Sequence, residues 1–239
     1  MSVWQIVCRR SKRATVVAVP LTALLLTAGL VAAGLVMDDF DADRPRRTHL
    51  AYVMDAATRT AHWVSADADP AQWTKRYVSG HDTSALPPGY ARGTLWTGQA
   101  PAITAEGPRA DVLAYRGDTL KLHVSAGKGT RSVTLRLDQP IAHATASAGR
   151  FGSASVPVTG ARAGTWPSEI RFRGIPARGV QIAVRIPERD RIRLTLIAET
   201  DGLTTVPGFV PRPPDLVAAT REDGDLTAVT RSYTLTSNS

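Results

Sequence analysis

The five histidines, His49, His62, His81, His123 and His143, are the first place to look for chemistry in this chain. Metal centres and acid–base pairs need such side chains at short, defined spacings, because the ligands must converge on one point from a shared helix or strand face. No His-x-Asp, His-x-x-x-His or His-Glu-x-x-His run occurs, and no two glutamates are adjacent. His123 falls on the wet side of an alternating stretch, and His62 stands beside Trp63 in an expected hairpin; both read as solvated or structural. No serine lies in a Gly-x-Ser-x-Gly elbow. Gly127-Lys128-Gly129-Thr130 echoes a phosphate loop but lacks the upstream glycine and the Gly-Lys-Ser/Thr order, so it reads as a turn in a hairpin. The acids Asp38, Asp39, Asp41 and Asp43 lack the alternating oxygen ligands and closing bidentate acid of a calcium loop, and Arg44, Arg46 and Arg47 follow at once. The residues thus offer no catalytic, metal-ligating or cofactor-binding set.

Aromatic side chains leave one surface possibility. Trp63, Trp73, Trp96 and Trp166 could present rings to a sugar. The competing reading is that large aromatics fill the core of a domain without disulfides. Trp96 and Trp166 lie in turn-rich segments and are the candidate surface-binding residues, with cell-wall glycan or peptide as the ligand class.

What must position these residues starts at Ala14–Met37, an uncharged apolar run preceded by Arg9, Arg10, Lys12 and Arg13. About 20 such residues cross the hydrocarbon layer as a helix, and a basic flank keeps its side of the membrane cytoplasmic. The expectation is a single-pass membrane protein with a cytoplasmic N-terminus (1–13), a transmembrane helix (14–37), a juxtamembrane linker (38–47) and an extracytoplasmic domain (48–239). A cleaved leader ending at Val31-Ala32-Ala33 fits less well, because leader cores run to about 7–15 apolar residues. Cys8 is the single cysteine, so no internal disulfide holds the outer domain. Half of the net charge of +8 resides in the N-terminal basic cluster. The remaining arginines alternate with acids and do not interleave with aromatics, which excludes a nucleic-acid partner.

Beyond Asp118 the chain alternates apolar and polar residues at period two. Leu120, Leu122 and Val124 share one side; so do Val133, Leu135 and Leu137, then Ile170 and Phe172, then Val180, Ile182, Val184 and Ile186, then Ile192, Leu194 and Leu196. Alternation over five or more residues marks a strand with one wet face. Earlier, 48–55 and 60–65 form a hairpin across Ala56–Arg59, and Asp69-Pro70 opens a short helix through Gln72, Trp73 and Tyr77. The proline-rich stretch Leu203–Ala219 is expected to lie over the sheet as an extended strap anchored by Phe209, outside any regular ladder. A strand over 225–235 closes the domain. The fold class is mainly β: an antiparallel, jelly-roll-like β-sandwich after one transmembrane helix.

Two stretches carry a resemblance. The first holds Tyr52, Asp55, Ala56, Ala61, Trp63 and Ser65, then Trp73-Thr74 and Tyr77-Val78. The second holds Pro207-Gly208-Phe209, Pro211-Arg212-Pro213, Asp225-Leu226-Thr227, Val229 and Arg231-Ser232-Tyr233-Thr234-Leu235. Together they resemble the C-terminal extracytoplasmic domain, with the last transmembrane helix, of membrane-bound M28-family zinc metallopeptidases of the endoplasmic or vacuolar membrane type, found also in actinobacteria. That family carries its zinc ligands and catalytic glutamate in an N-terminal domain, and no position here matches them. The resemblance implies a non-catalytic accessory module at the plasma membrane, whose partners are the lipid bilayer and a separately encoded M28 peptidase or transmembrane protein. Neither metal nor cofactor is expected for this chain alone.

Overall fold

The computed structural model describes residues 23–32, 34, 40–87, 90, 94–148, 152–158, 168–187, 190–219 and 224–236. Residues 23–32 and 34 are helical. They lie inside the expected membrane span, the rest of which is outside the described residues. Among the described residues no helix is long and apolar enough to cross a membrane.

The remainder is mainly β. Among the described residues the strands are, in order, β1 (Arg46–Thr48), β2 (Ala51–Asp55), β3 (Ala61–Ser65), β4 (Trp96–Ala100), β5 (Arg109–Arg116), β6 (Thr119–Ser125), β7 (Ser132–Leu137), β8 (His143–Ser147), β9 (Ala154–Ser155), β10 (Ser168–Arg173), β11 (Val180–Arg185), β12 (Arg191–Asp201), β13 (Leu216–Ala218) and β14 (Leu226–Thr236). They form a seven-stranded sheet ordered β10-β7-β12-β14-β2-β3-β4, a five-stranded sheet ordered β5-β6-β11-β8-β9, and the pair β1-β13.

The period-two pattern explains how the two large sheets meet. Leu120, Leu122 and Val124 of β6 and Ile182 and Val184 of β11 share one buried cluster with Val133, Leu135 and Leu137 of β7, Ile170 of β10 and Ile192, Leu194 and Leu196 of β12. Side chains this size contribute about 1.5–3 kcal/mol each when fully buried, so this shared layer dominates stability. Gly127–Thr130 is a turn, in which the Thr130 hydroxyl donates to the Gly127 carbonyl at 2.7 Å. It carries the chain from one sheet to the other, whereas a hairpin was expected.

Three further expectations need correcting. The strands are not uniformly antiparallel: β14 pairs β2 in parallel, Leu226 opposite Ala51, and β1 pairs β13 in parallel. The Asp69-Pro70 segment yields only a one-turn 3-10 helix, Thr74–Arg76, because the Ser79 and Gly80 amides must reach the Thr97 carbonyl at the sheet edge. The strap does enter a ladder, as β13. Its fully buried anchors are Leu203 and Val206, and Phe209 is half-buried against the same cluster.

Candidate functional site

The hairpin β2–β3 puts Tyr52 and Trp63 on one face of the seven-stranded sheet, because alternate residues of a strand share a side. Those rings meet edge-on with centroids 5.6 Å apart. The 71–78 segment adds Trp73 and Tyr77, with Tyr77 4.9 Å from Trp63 and 5.1 Å from Trp73. Phe209 of the strap closes the group at 6.0 Å from Trp73 with the rings perpendicular. The polar tips of Tyr52, Trp73 and Tyr77 have partners. The Val210 amide donates to the Tyr77 hydroxyl at 2.8 Å, and Trp73 Nε1 donates to the Val210 carbonyl at 3.2 Å. The Tyr52 hydroxyl donates to the Pro101 carbonyl at 2.8 Å and accepts from the Ile103 amide at 3.2 Å. Burial pushes the Tyr52 phenol above its ordinary pKa, opposed by the Ile103 amide and by Arg59.

Outside this cluster lies a groove of about 620 Å³, lined by Phe40, Arg46, Trp73, Arg76, Val210 and Leu216 among others. Arg212 stands in the chain between Pro211 and Pro213, two of the lining residues. Its guanidinium lies 4.6 Å from the Trp73 ring, donates through Nε to the Thr48 hydroxyl at 2.8 Å, and bonds the Asp225 carboxylate.

The opposite face of the seven-stranded sheet carries a second depression of about 290 Å³, whose walls include His49, Tyr90, Arg136, Glu169, Arg171 and Glu199. Glu169 stands directly across from Arg136 in the β10–β7 register, and Arg136 Nε donates to Glu169 at 2.9 Å. Glu199 accepts from Arg171 and from the Ser132 hydroxyl. Acid and base neutralise each other here at low exposure, 11% for both Arg136 and Glu169. These are cross-strand struts between β10, β7 and β12.

The histidines are spread over separate elements. His49 is buried; its amide donates to the Asp67 carboxylate at 3.0 Å, and its Nδ1 accepts from the Ala66 amide at 3.1 Å. His123 bonds the Arg178 carbonyl through Nε2 at 2.8 Å and lies 3.7 Å from Asp111. Among the described residues no group of three or more His, Cys, Asp or Glu side chains is placed to hold a metal ion. Asp41, in the acidic flank, accepts from the Asp43 and Arg44 amides, and those contacts, the Arg44 amide foremost, hold its carboxyl below the usual range.

Trp96, the candidate surface residue, lies in β4 and is half-buried. Its ring lies against His81, centroids 3.9 Å apart and planes tilted by 45°, and it packs on the aromatic cluster. Trp166 lies outside the described residues. Trp63 and Trp73 are core residues. The groove and the Arg212 tie escaped the sequence reading, because a cation over an aromatic leaves no spacing signal when its partners come from distant segments.

No protein-family model matches the chain, and no curated protein sequence is similar to it.

Proposed function

We propose that this chain is a membrane-anchored, non-catalytic extracytoplasmic module, its head a jelly-roll-like β-sandwich, that serves a separately encoded membrane peptidase of M28 type. One observation carries the reading. The two stretches on which the M28 resemblance rests come together in a single unit: Tyr52, Trp63, Trp73 and Tyr77 of the first pack with Phe209 of the second. Arg212 and Asp225, both from the second, lock over Trp73 of the first. Motif residues that pack on one another serve the fold of a module.

The anchor has its own support. Leu24, Leu25 and Leu26 are 67, 64 and 67% exposed. Successive helical residues point about 100° apart, so these leucines put apolar surface on most of the helix circumference. The Thr27 hydroxyl donates back to the Ala23 carbonyl at 2.8 Å, which removes a free donor as a lipid setting requires.

The test is crosslinking of the full chain in its native membrane, followed by identification of what co-purifies. A membrane peptidase among the crosslinked products is expected. Zinc-dependent aminopeptidase activity in the purified chain alone would overturn the accessory reading.

A further inference from the structure

We propose that the groove of Phe40, Arg46, Trp73, Arg76, Val210 and Leu216 is the face by which the head rests on an anionic phospholipid surface. The inference builds on the membrane-anchored reading above and specifies which side of the head meets the bilayer.

Chain length supplies the first argument. Phe40 follows Met37, the last residue of the apolar run, by three residues. An extended chain covers at most about 3.6 Å per residue, so Phe40 is held within about 11 Å of the end of that run. The chain after Phe40 has no slack either. Asp41 accepts from the Asp43 and Arg44 amides at 2.9 and 2.8 Å, closing a turn that delivers Arg46 into β1. That turn brings Phe40 back against the groove, with the Arg46 guanidinium 6.0 Å from its ring.

The second argument is where apolar surface lies open. Among the described residues outside the helical run, the exposed large hydrophobics are Phe40, Val112, Leu113, Val210 and Val217. Phe40 and Val210 line the groove, whereas Val217 follows the groove residue Leu216 in β13 and so points to the other face of the β1–β13 pair. Val112 and Leu113 belong to β5, on the other sheet. Phe40 and Val210 thus put exposed apolar surface on the side of the head from which the tether departs.

Charge supplies the third. Arg46 and Arg76 line the groove together with Asp215, and Arg46 and Lys75 both pair with Asp69, at 4.0 and 3.1 Å. Arginine and lysine bury their aliphatic stems along apolar surface while their heads reach outward. Arg guanidinium suits the phosphate of a lipid headgroup, to which it donates paired hydrogen bonds. An aromatic and aliphatic patch ringed by such cations matches the chemistry of the membrane–water interface.

The experiment uses the full chain with Cys8→Ser, reconstituted in vesicles of phosphatidylcholine and phosphatidylglycerol. Single cysteines replacing Val210 or Val112, both exposed positions, carry an environment-sensitive fluorophore. Headgroup-level spin-labelled lipid is expected to quench the probe at 210 several-fold more than the probe at 112, with iodide in the water showing the reverse order. The pair Arg46→Glu with Arg76→Glu should erase that difference while the protein stays resistant to carbonate extraction. Equal iodide access at 210 and 112 in carbonate-resistant protein would overturn the docking face and leave the anchor standing. Release of the protein by carbonate would instead overturn the anchored reading, and this inference with it.

Discussion

Arg212 donates to the carboxylate of Asp225, thirteen residues further on, while the flat of its guanidinium lies 4.6 Å from the Trp73 ring. The same side chain reaches the Thr48 hydroxyl and carbonyl. One residue thus ties the strap, the start of β14, the 71–78 segment and the end of β1. Its side chain is only 9% exposed, whereas Asp225 keeps 29%. Removing one member of such a pair leaves a buried charge, which costs about 3–5 kcal/mol when burial is complete.

Arg212→Ala is therefore expected to destabilise the head by about 3 kcal/mol, the lower end of that range because Asp225 is partly solvated. Arg212→Lys should rescue little of this, since an ammonium cannot stack on Trp73 and bond Thr48 and Asp225 together. Chemical denaturation of the two variants beside the parent measures both effects. Full rescue by lysine would mean that charge alone matters at this site.

Gly98 stands opposite Trp63 in the β3–β4 ladder, and a Cβ placed there would come within 1.9 Å of the Tyr77 carbonyl oxygen. Backbone cannot yield as a side-chain tip can. Gly98→Ala should cost about 3 kcal/mol, at the upper end for overpacking. Gly80→Ala, where a Cβ meets nothing within 4 Å, should stay within about 0.5 kcal/mol of the parent. Thermal melts of both variants check the contrast, and similar losses would contradict the close approach of the 71–78 segment to β4.

The Arg136–Glu169 strut allows a sharper test than a single deletion. Glu169→Ala leaves Arg136 at 11% exposure without its carboxylate, at an expected cost of about 3 kcal/mol. Replacing both members together, Arg136→Met with Glu169→Leu, should restore most of the loss, because apolar pairs of similar volume avoid desolvating charge. A double-mutant cycle by denaturant titration measures the coupling. Additive losses would show that the two side chains act independently.

His62 gives stability a pH dependence. Desolvation by burial lowers its pKa below the ordinary 6.5, with the Asp82 charge opposing weakly. The unfolded chain then takes up the proton before the folded one does as the pH falls. Stability is greatest above about pH 6.5 and declines as the pH drops through that value toward the lower folded one. His62→Gln should flatten this part of the curve of melting temperature against pH. An unchanged slope in the variant would remove His62 as its source.

How far the fold could be read from the residues differed by element. β6, β7, β10, β11 and β12 were legible because each sets one face against a core, so that burial imprints period two on the sequence. β5 was not, since a bulge between Val112 and Ala114 breaks its alternation. β8 escaped because His143–Ser147 is built of small and polar residues whose strand state comes from pairing with β11. β1 and β13 are three residues each, and only their mutual pairing makes them strands.

By itself the sequence determined the mainly β character of the head, the hairpin of β2 and β3, the core residues of the alternating strands and the apolar run before them. These are properties of local pattern: a side chain's face follows from its position in a strand. Tertiary structure alone decided that the last strand lies parallel beside β2, and that Arg212 spans four segments. It also decided that Glu169 faces Arg136, and that Phe40, Trp73 and Val210 line one groove. Those relations join residues distant along the chain, so the free energy that fixes them comes from packing among segments and leaves no period to read.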